Sequence, residues 1–224
     1  LLTLVTSLGS VMLPRVAHLL ATGDHKAVNK MHEMSFLVYN LVIFPMMAGI
    51  LIVNDDFVQF FLGQDFQDAR YAIAIMIFRM FFIGWTNIMG IQMLIPHNQN
   101  KEFMISTTAP AIISVGLNLL FLPKLGYIGA AIVSVLTEAL VWAIQLYFTR
   151  KYLKEIPIIG SMTKIVLASA IMYGILLGSK TVIHFSPTIN VFVFAVLGGI
   201  FYLIAILSLK VVDVKELKQI IGKK

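Results

Sequence analysis

Apolar residues run along this chain in long blocks, neither alternating as in a half-buried strand nor confined to one helical stripe, and seven such blocks fill its 224 positions. They cover roughly residues 1–20, 35–53, 70–95, 103–122, 127–149, 161–181 and 188–210. A helix needs about 20 predominantly apolar residues to cross the hydrocarbon core, so six blocks predict complete membrane-spanning helices and the first an incomplete one. Pro45 and Pro110 fall inside spans and predict kinks, because proline removes a backbone hydrogen bond and crowds the preceding turn. The stretch Pro123-Lys124-Leu125-Gly126 predicts a turn so tight that the fourth and fifth spans become antiparallel neighbours. Asp24, following Gly23, is expected to cap a short amphipathic helix that leads to Glu33. The stretch from Phe57 to Gly63 is too apolar for a free loop and is expected to lie at the headgroup interface.

The polar segments between the blocks then sort by charge. Arg15, Lys26 and Lys30 follow or end the first block, Lys101 follows the third, and Arg150, Lys151, Lys154 and Lys164 cluster after the fifth. Lys210, Lys215, Lys218, Lys223 and Lys224 come at the end. The intervening connections hold Arg70, Lys124 and Lys180, and the longest of them carries Asp55, Asp56, Asp65 and Asp68. By the positive-inside rule the first set is cytoplasmic, which places the C-terminus inside. The phase holds across all seven blocks, and one missed or invented helix would have inverted everything after it.

Composition adds an exclusion. With 59% hydrophobic and 12% charged residues, and a mean hydropathy of +0.90, the chain cannot present a water-facing surface all round, so a soluble domain is excluded. The reading is an all-α integral membrane protein, a polytopic helix bundle. The net charge of +6 is accounted for by loop placement, and no nucleic-acid partner is expected. Cysteine is absent, which removes disulfides, thiolate metal sites and thiol nucleophiles. The opening Leu1-Leu2-Thr3-Leu4 already lies inside an apolar block, with no basic signal region, and the chain is read as a piece of a longer protein.

Two ionisable side chains fall within spans, Arg79 and Glu138. A charge near the bilayer centre costs about 2.5–3.5 kcal/mol on insertion scales, so such residues are functional candidates by default. Counted from the outer ends of their spans, both sit at a depth of roughly 13–17 Å, where they could meet. At about 100° per residue, Ala131, Ser134, Trp142, Gln145 and Thr149 fall within about 40° of Glu138. Arg79 shares a face with Thr86, Asn87 and Gly90, and the fourth span aligns Thr107, Ala111, Ser114 and Asn118. Three polar faces suggest a hydrated cavity lined by Arg79, Glu138, Asn87, Asn118, Ser134 and Gln145. The alternative is a structural ion pair with interhelical hydrogen bonds between the Ser, Thr and Asn side chains.

Other patterns carry less. His18, His25 and His32 recur every seven residues, about 10 Å apart on a helix and too far to share a metal ion, so they are expected to be solvated cytoplasmic residues. The outer Asp cluster lacks EF-hand spacing. With no catalytic or phosphate-loop motif in view, no catalytic residue, metal or resident cofactor is expected. A coupling proton or sodium ion is the small partner that Glu138 could take.

Several stretches carry a resemblance. Ser10-Val11-Met12-Leu13-Pro14-Arg15 followed by Leu20-Ala21-Thr22-Gly23-Asp24, then Phe44-Pro45-Met46-Met47-Ala48-Gly49 and Phe61-Leu62-Gly63-Gln64-Asp65-Phe66, resemble the bacterial polysaccharide flippases of the multidrug/oligosaccharidyl-lipid/polysaccharide exporter superfamily. Leu117-Asn118-Leu119-Leu120-Phe121-Leu122-Pro123 through Gly126 to Ala131 is similar to a late helix hairpin of that family. The resemblance covers about residues 7–150, in order and spacing, and implies a two-lobe transporter with a central cavity that opens alternately to either side.

On that basis residues 1–150 are expected to hold the end of one helix and four full helices of the C-terminal lobe, 151–210 two further helices, and 211–224 a basic cytoplasmic tail. An N-terminal lobe of the same protein would be missing. The implied cargo is a polyprenyl-pyrophosphate-linked oligosaccharide, moved across a bacterial cytoplasmic membrane among its lipids for surface polysaccharide assembly, without enzymatic chemistry. Arg79 would suit the pyrophosphate, because guanidinium offers a fork of donors. A drug/cation antiporter or a peptidoglycan-precursor flippase of the same superfamily stands as the alternative. From another class, a polytopic glycosyltransferase or polysaccharide polymerase would need a sizeable outer loop, and the outer connections here are about 16 residues or shorter. A non-transporting scaffold would leave Arg79 and Glu138 dispensable.

Overall fold

The computed structural model describes residues 2–182 and 185–211, with side chains from Met12 onward. The basic tail expected over 211–224 lies, apart from Val211, outside the described residues. Among the described residues the regular elements are all helical: α1 (Leu2–Ala21), α2 (His25–Phe61), a 3-10 turn (Gln64–Phe66), α3 (Ala69–Asn87) continued by a π-helical segment (Ile88–Leu94), α4 (Asn100–Leu153), α5 (Ile158–Lys180) and α6 (Pro187–Ser208). Among the described residues, α2, α3 with its π-helical extension, α4, α5 and α6 are long and apolar enough to cross a membrane. The chain is a multi-pass membrane protein.

α4 holds 54 residues and breaks at one of them, Gly126, whose φ of 55° and ψ of −137° lie outside the helical region. That conformation is open to glycine and strained for a residue with a Cβ, so the tight turn read from the sequence is built on this position. The two arms, 100–125 and 127–153, each exceed the length of about 20 residues needed to span the bilayer. They lie side by side, since Gln145 Nε2 donates to Ser106 Oγ at 3.1 Å. The seven blocks of the sequence thus correspond to α1, α2, α3, the two arms of α4, α5 and α6.

The connection between α1 and α2 is nearly as short. Asp24 N–H donates to Leu19 O and Gly23 N–H to Leu20 O, the paired bonds of a Schellman ending, with Gly23 at a φ of 77°. Asp24 then caps the next helix by accepting from Ala27 N–H at 3.0 Å. The short amphipathic helix expected to end near Glu33 does not end there, because α2 is one helix of 37 residues. Nothing between His25 and Phe44 breaks it, and its inward face continues without interruption through Val28, His32, Phe36 and Ile43, all buried. Both α2 and α4 continue through Pro45 and Pro110. The Phe-rich stretch expected at the interface forms the last turn of α2, where the Phe57 and Phe60 rings lie 4.8 and 5.1 Å from that of Phe61.

Two compact units result. The first contains residues up to Tyr39 together with Asp68–Ile158, the second Asn40–Gln67 with the residues from Ile159 onward. In the first, α3 packs on α4 and α1 packs on α3 and its π-helical end. Met89, Met93 and Leu94 are fully buried there. In the second, Ile52, Met172, Leu176, Phe194 and Ile206 form the centre of an apolar core.

The second unit also contains a polar cluster that the sequence does not advertise. Lys180 Nζ lies 3.2 Å from Asp56 Oδ2 and donates to Ile52 O at 2.7 Å, while Asn190 Nδ2 donates to Asp56 Oδ1 at 2.9 Å. Three helix ends are tied at one point, so these charges serve packing.

Candidate functional site

Arg79 stands in the middle of α3 and Glu138 in the second arm of α4, and the two side chains meet. Arg79 Nη2 donates to Glu138 Oε1 at 2.9 Å and Arg79 Nε to the same oxygen at 3.3 Å. The arrangement uses one carboxylate oxygen for two donors, unlike the two parallel bonds of a fork-to-fork pair. Among the described residues, Glu138 Oε2 and Arg79 Nη1 make no further hydrogen bond. The side chains are 35% and 20% exposed, so both are largely but not fully covered.

Aromatic residues neighbour the pair along both helices. Trp142, one turn beyond Glu138, has ring centroids of Phe82, Phe81 and Trp85 at 5.8, 6.4 and 6.4 Å. Phe36 from α2 closes the cluster, 4.8 Å from Trp85. Trp142 Nε1 and Asn87 Oδ1 are both buried without a hydrogen-bond partner among the described residues. Partial burial strengthens the Arg79–Glu138 attraction and raises the cost of separating the pair without a substitute.

The remaining candidates divide. Ser134 lies one turn before Glu138 and is half-buried, on the same face. Asn87 is half-buried on α3. Asn118 donates to Ser114 O at 2.8 Å within its own helix, and Ser114 donates to Ala111 O, so the polar face of the first α4 arm is satisfied internally. Gln145 is 1% exposed and bonds Ser106. The polar stripe along the second α4 arm therefore changes character along its length: half-open around Glu138, sealed at Gln145 and Thr149.

Near that sealed end lies a network that the sequence pattern does not announce. The His32 ring Nε2 bonds Gln92 O at 2.9 Å, and Ser35 Oγ donates to Gln92 Oε1 at 2.8 Å. His32, expected to be solvated, is 0% exposed, because the helix that carries it runs on into the core; His18 and His25 are exposed as expected. The π-helical segment presents Gln92 to α2 and brings Gly90 against α4, where an added Cβ would come within 2.7 Å of the Phe103 ring. Wide helical turns of this kind are rare and concentrate at functional positions. The spacing of His32, Ser35, Phe36 and Tyr39, at helical intervals on one face, is the sequence signal that locates this network once α2 is extended back past Glu33.

Gln92→Leu removes the acceptor from a fully buried serine. It is expected to lower stability by about 1–2 kcal/mol, measured as thermal or denaturant unfolding in nanodiscs, and Ser35→Ala in the same chain is expected to recover part of that deficit. Additive effects would show that the two side chains are not coupled.

The chain resembles known membrane proteins along most of its length. An uncharacterized membrane protein of Methanocaldococcus jannaschii is 25% identical over 97% of this chain and 42% of its own length. The probable low-salt glycan biosynthesis flippase of Haloferax volcanii is 22% identical over 88% of this chain and 41% of its own. A putative O-antigen transporter of Escherichia coli is 26% identical over 66% and 35% respectively. The chain thus spans less than half the length of these relatives. Among solved structures, a lipid II flippase MurJ in an inward closed conformation superposes with a TM-score of 0.74, at 18% identity, over 88% of this chain and 41% of that one, which establishes the shared fold. The sequence profile described as lipid II flippase MurJ matches residues 2–211, nearly the whole sequence, and the chain belongs to that family.

Proposed function

We propose that this chain forms the C-terminal lobe and terminal helices of a flippase that moves a polyprenyl-pyrophosphate-linked oligosaccharide across the cytoplasmic membrane by alternating access, without enzymatic chemistry. The observation that carries the proposal is the Arg79 guanidinium in mid-span, held through a single carboxylate oxygen and only partly buried. A partly dehydrated guanidinium is suited to phosphate oxygens. Residues 1–150 supply the lobe and 151–210 the additional helices, and a partner N-terminal lobe would complete the cavity. Glycan flippase and O-antigen transporter relatives support an oligosaccharide cargo. A second reading, a peptidoglycan-precursor flippase, draws support from the family profile and the structural neighbour. Both cargoes share the lipid pyrophosphate, and complementation of strains deficient in one or the other pathway separates them.

The orientation follows the same reading, with the connection after Leu153 and the C-terminus inside and the Gln64–Phe66 turn outside. The sequence has no cysteine, so single cysteines at the exposed positions Asp65 and Lys154 report topology directly. A membrane-impermeant maleimide is expected to label Asp65→Cys in intact cells and Lys154→Cys only after permeabilisation. The reverse pattern overturns the orientation.

A further inference from the structure

We infer that Glu138 is a tethered competitor for the Arg79 guanidinium, a built-in stand-in for the cargo phosphate that sets how strongly an anion must bind to enter the site and hastens its release. The inference rests on the reading of Arg79 given above. Its basis is the shape of the ion pair. Arginine–carboxylate pairs that lock two elements are frequently bidentate, with two parallel bonds that add both strength and direction. Here both donors converge on Oε1, at 2.9 and 3.3 Å, and the second carboxylate oxygen and the Nη1 edge of Arg79 make no further hydrogen bond among the described residues. The side chains keep 35% and 20% of their surface exposed, so an incoming anion can reach the guanidinium while the carboxylate still holds it.

The consequence is competition by proximity. A group fixed on a neighbouring helix acts at an effective concentration in the millimolar range or above, and a free anion has to exceed that to displace it. Inorganic phosphates would gain only the interaction with the guanidinium and would be outcompeted by Glu138 at ordinary concentrations. A lipid-linked pyrophosphate brings additional binding energy from its chain and sugar, and so can displace the carboxylate. When the cargo departs the carboxylate returns, which prevents Arg79 from becoming a trap; a site that held its cargo too well would bind tightly and turn over slowly. Partial burial of Arg79 in mid-span makes an unpaired guanidinium costly, which favours one anion or the other at the site.

The test uses the membrane-reconstituted protein with inorganic pyrophosphate and farnesyl pyrophosphate as probes. Glu138→Gln is expected to tighten binding of both probes by about 10-fold and to slow release of farnesyl pyrophosphate by a similar factor, since a neutral amide competes poorly with phosphate. Glu138→Asp, which retracts the carboxylate by one methylene, is expected to tighten binding by a smaller factor, and it serves if the glutamine variant does not fold. Unchanged or weaker binding in the folded Glu138 variants, with binding abolished in Arg79→Ala, overturns the competitor and leaves the phosphate role of Arg79 standing. Wild-type binding in Arg79→Ala removes both.

Discussion

Arg79→Ala is expected to reduce glycan export at least about 100-fold while the protein stays at normal abundance in the membrane. The magnitude follows from the bonds that the guanidinium would make to the cargo: hydrogen bonds to charged groups contribute about 1.5–3 kcal/mol each, and a guanidinium on phosphate makes two. The measurement is complementation of a strain defective in surface polysaccharide assembly, with membrane abundance quantified alongside. Removing Arg79 also leaves the Glu138 carboxylate without its partner in a largely apolar surrounding. The double variant Arg79→Ala/Glu138→Ala takes that orphan charge away and is expected to remain inactive, whereas a purely structural pair predicts recovery. Arg79→Lys, which keeps the charge and forgoes the planar fork, is expected to retain part of the activity. Normal export by Arg79→Ala would sink the proposal.

The second large effect concerns packing. Gly84 on α3 faces the ring of Tyr39 on α2, and a Cβ built at this position would fall inside that ring. The Tyr39 hydroxyl in turn donates to Met80 O, so the ring is held at both its face and its tip and cannot turn away without breaking a bond. Gly84→Ala is therefore expected to cost about 2–3 kcal/mol, the upper range for one methyl group added to a packed core. Unfolding in nanodiscs measures it. Combining Gly84→Ala with Tyr39→Ala is expected to cost clearly less than the sum of the two changes, because the second opens the space that the first requires. A neutral Gly84→Ala would show that α2 and α3 do not touch there.

The spans are written in the sequence because the bilayer imposes one length and one solvent on every crossing, and a block of about 20 apolar residues satisfies both. The turn at Gly126 was legible for a similar reason, since proline and glycine at that spacing leave the chain few options. Arg79 and Glu138 share a depth once the spans are assigned, which allows them to meet, and they do bond. What escaped were features set by helix continuation and neighbour identity. His32 looks like one of three basic-loop histidines until α2 is seen to run unbroken through it. Gln145 shares a face with Glu138, and only the position of the first α4 arm decides that one is sealed and the other half-open. The π-helical segment has no residue signature, since widening a turn depends on the groups that receive its displaced carbonyls, here the His32 ring at Gln92 O.

The turn at Gly126 also has a mechanical meaning. One non-helical residue joins the two arms of a 54-residue element, and the bond between Ser106 and Gln145 ties the arms a second time, so the arm that carries Glu138 is fastened to its neighbour at two levels. The carboxylate is thus offered from a doubly tied support to an arginine that belongs to a different helix.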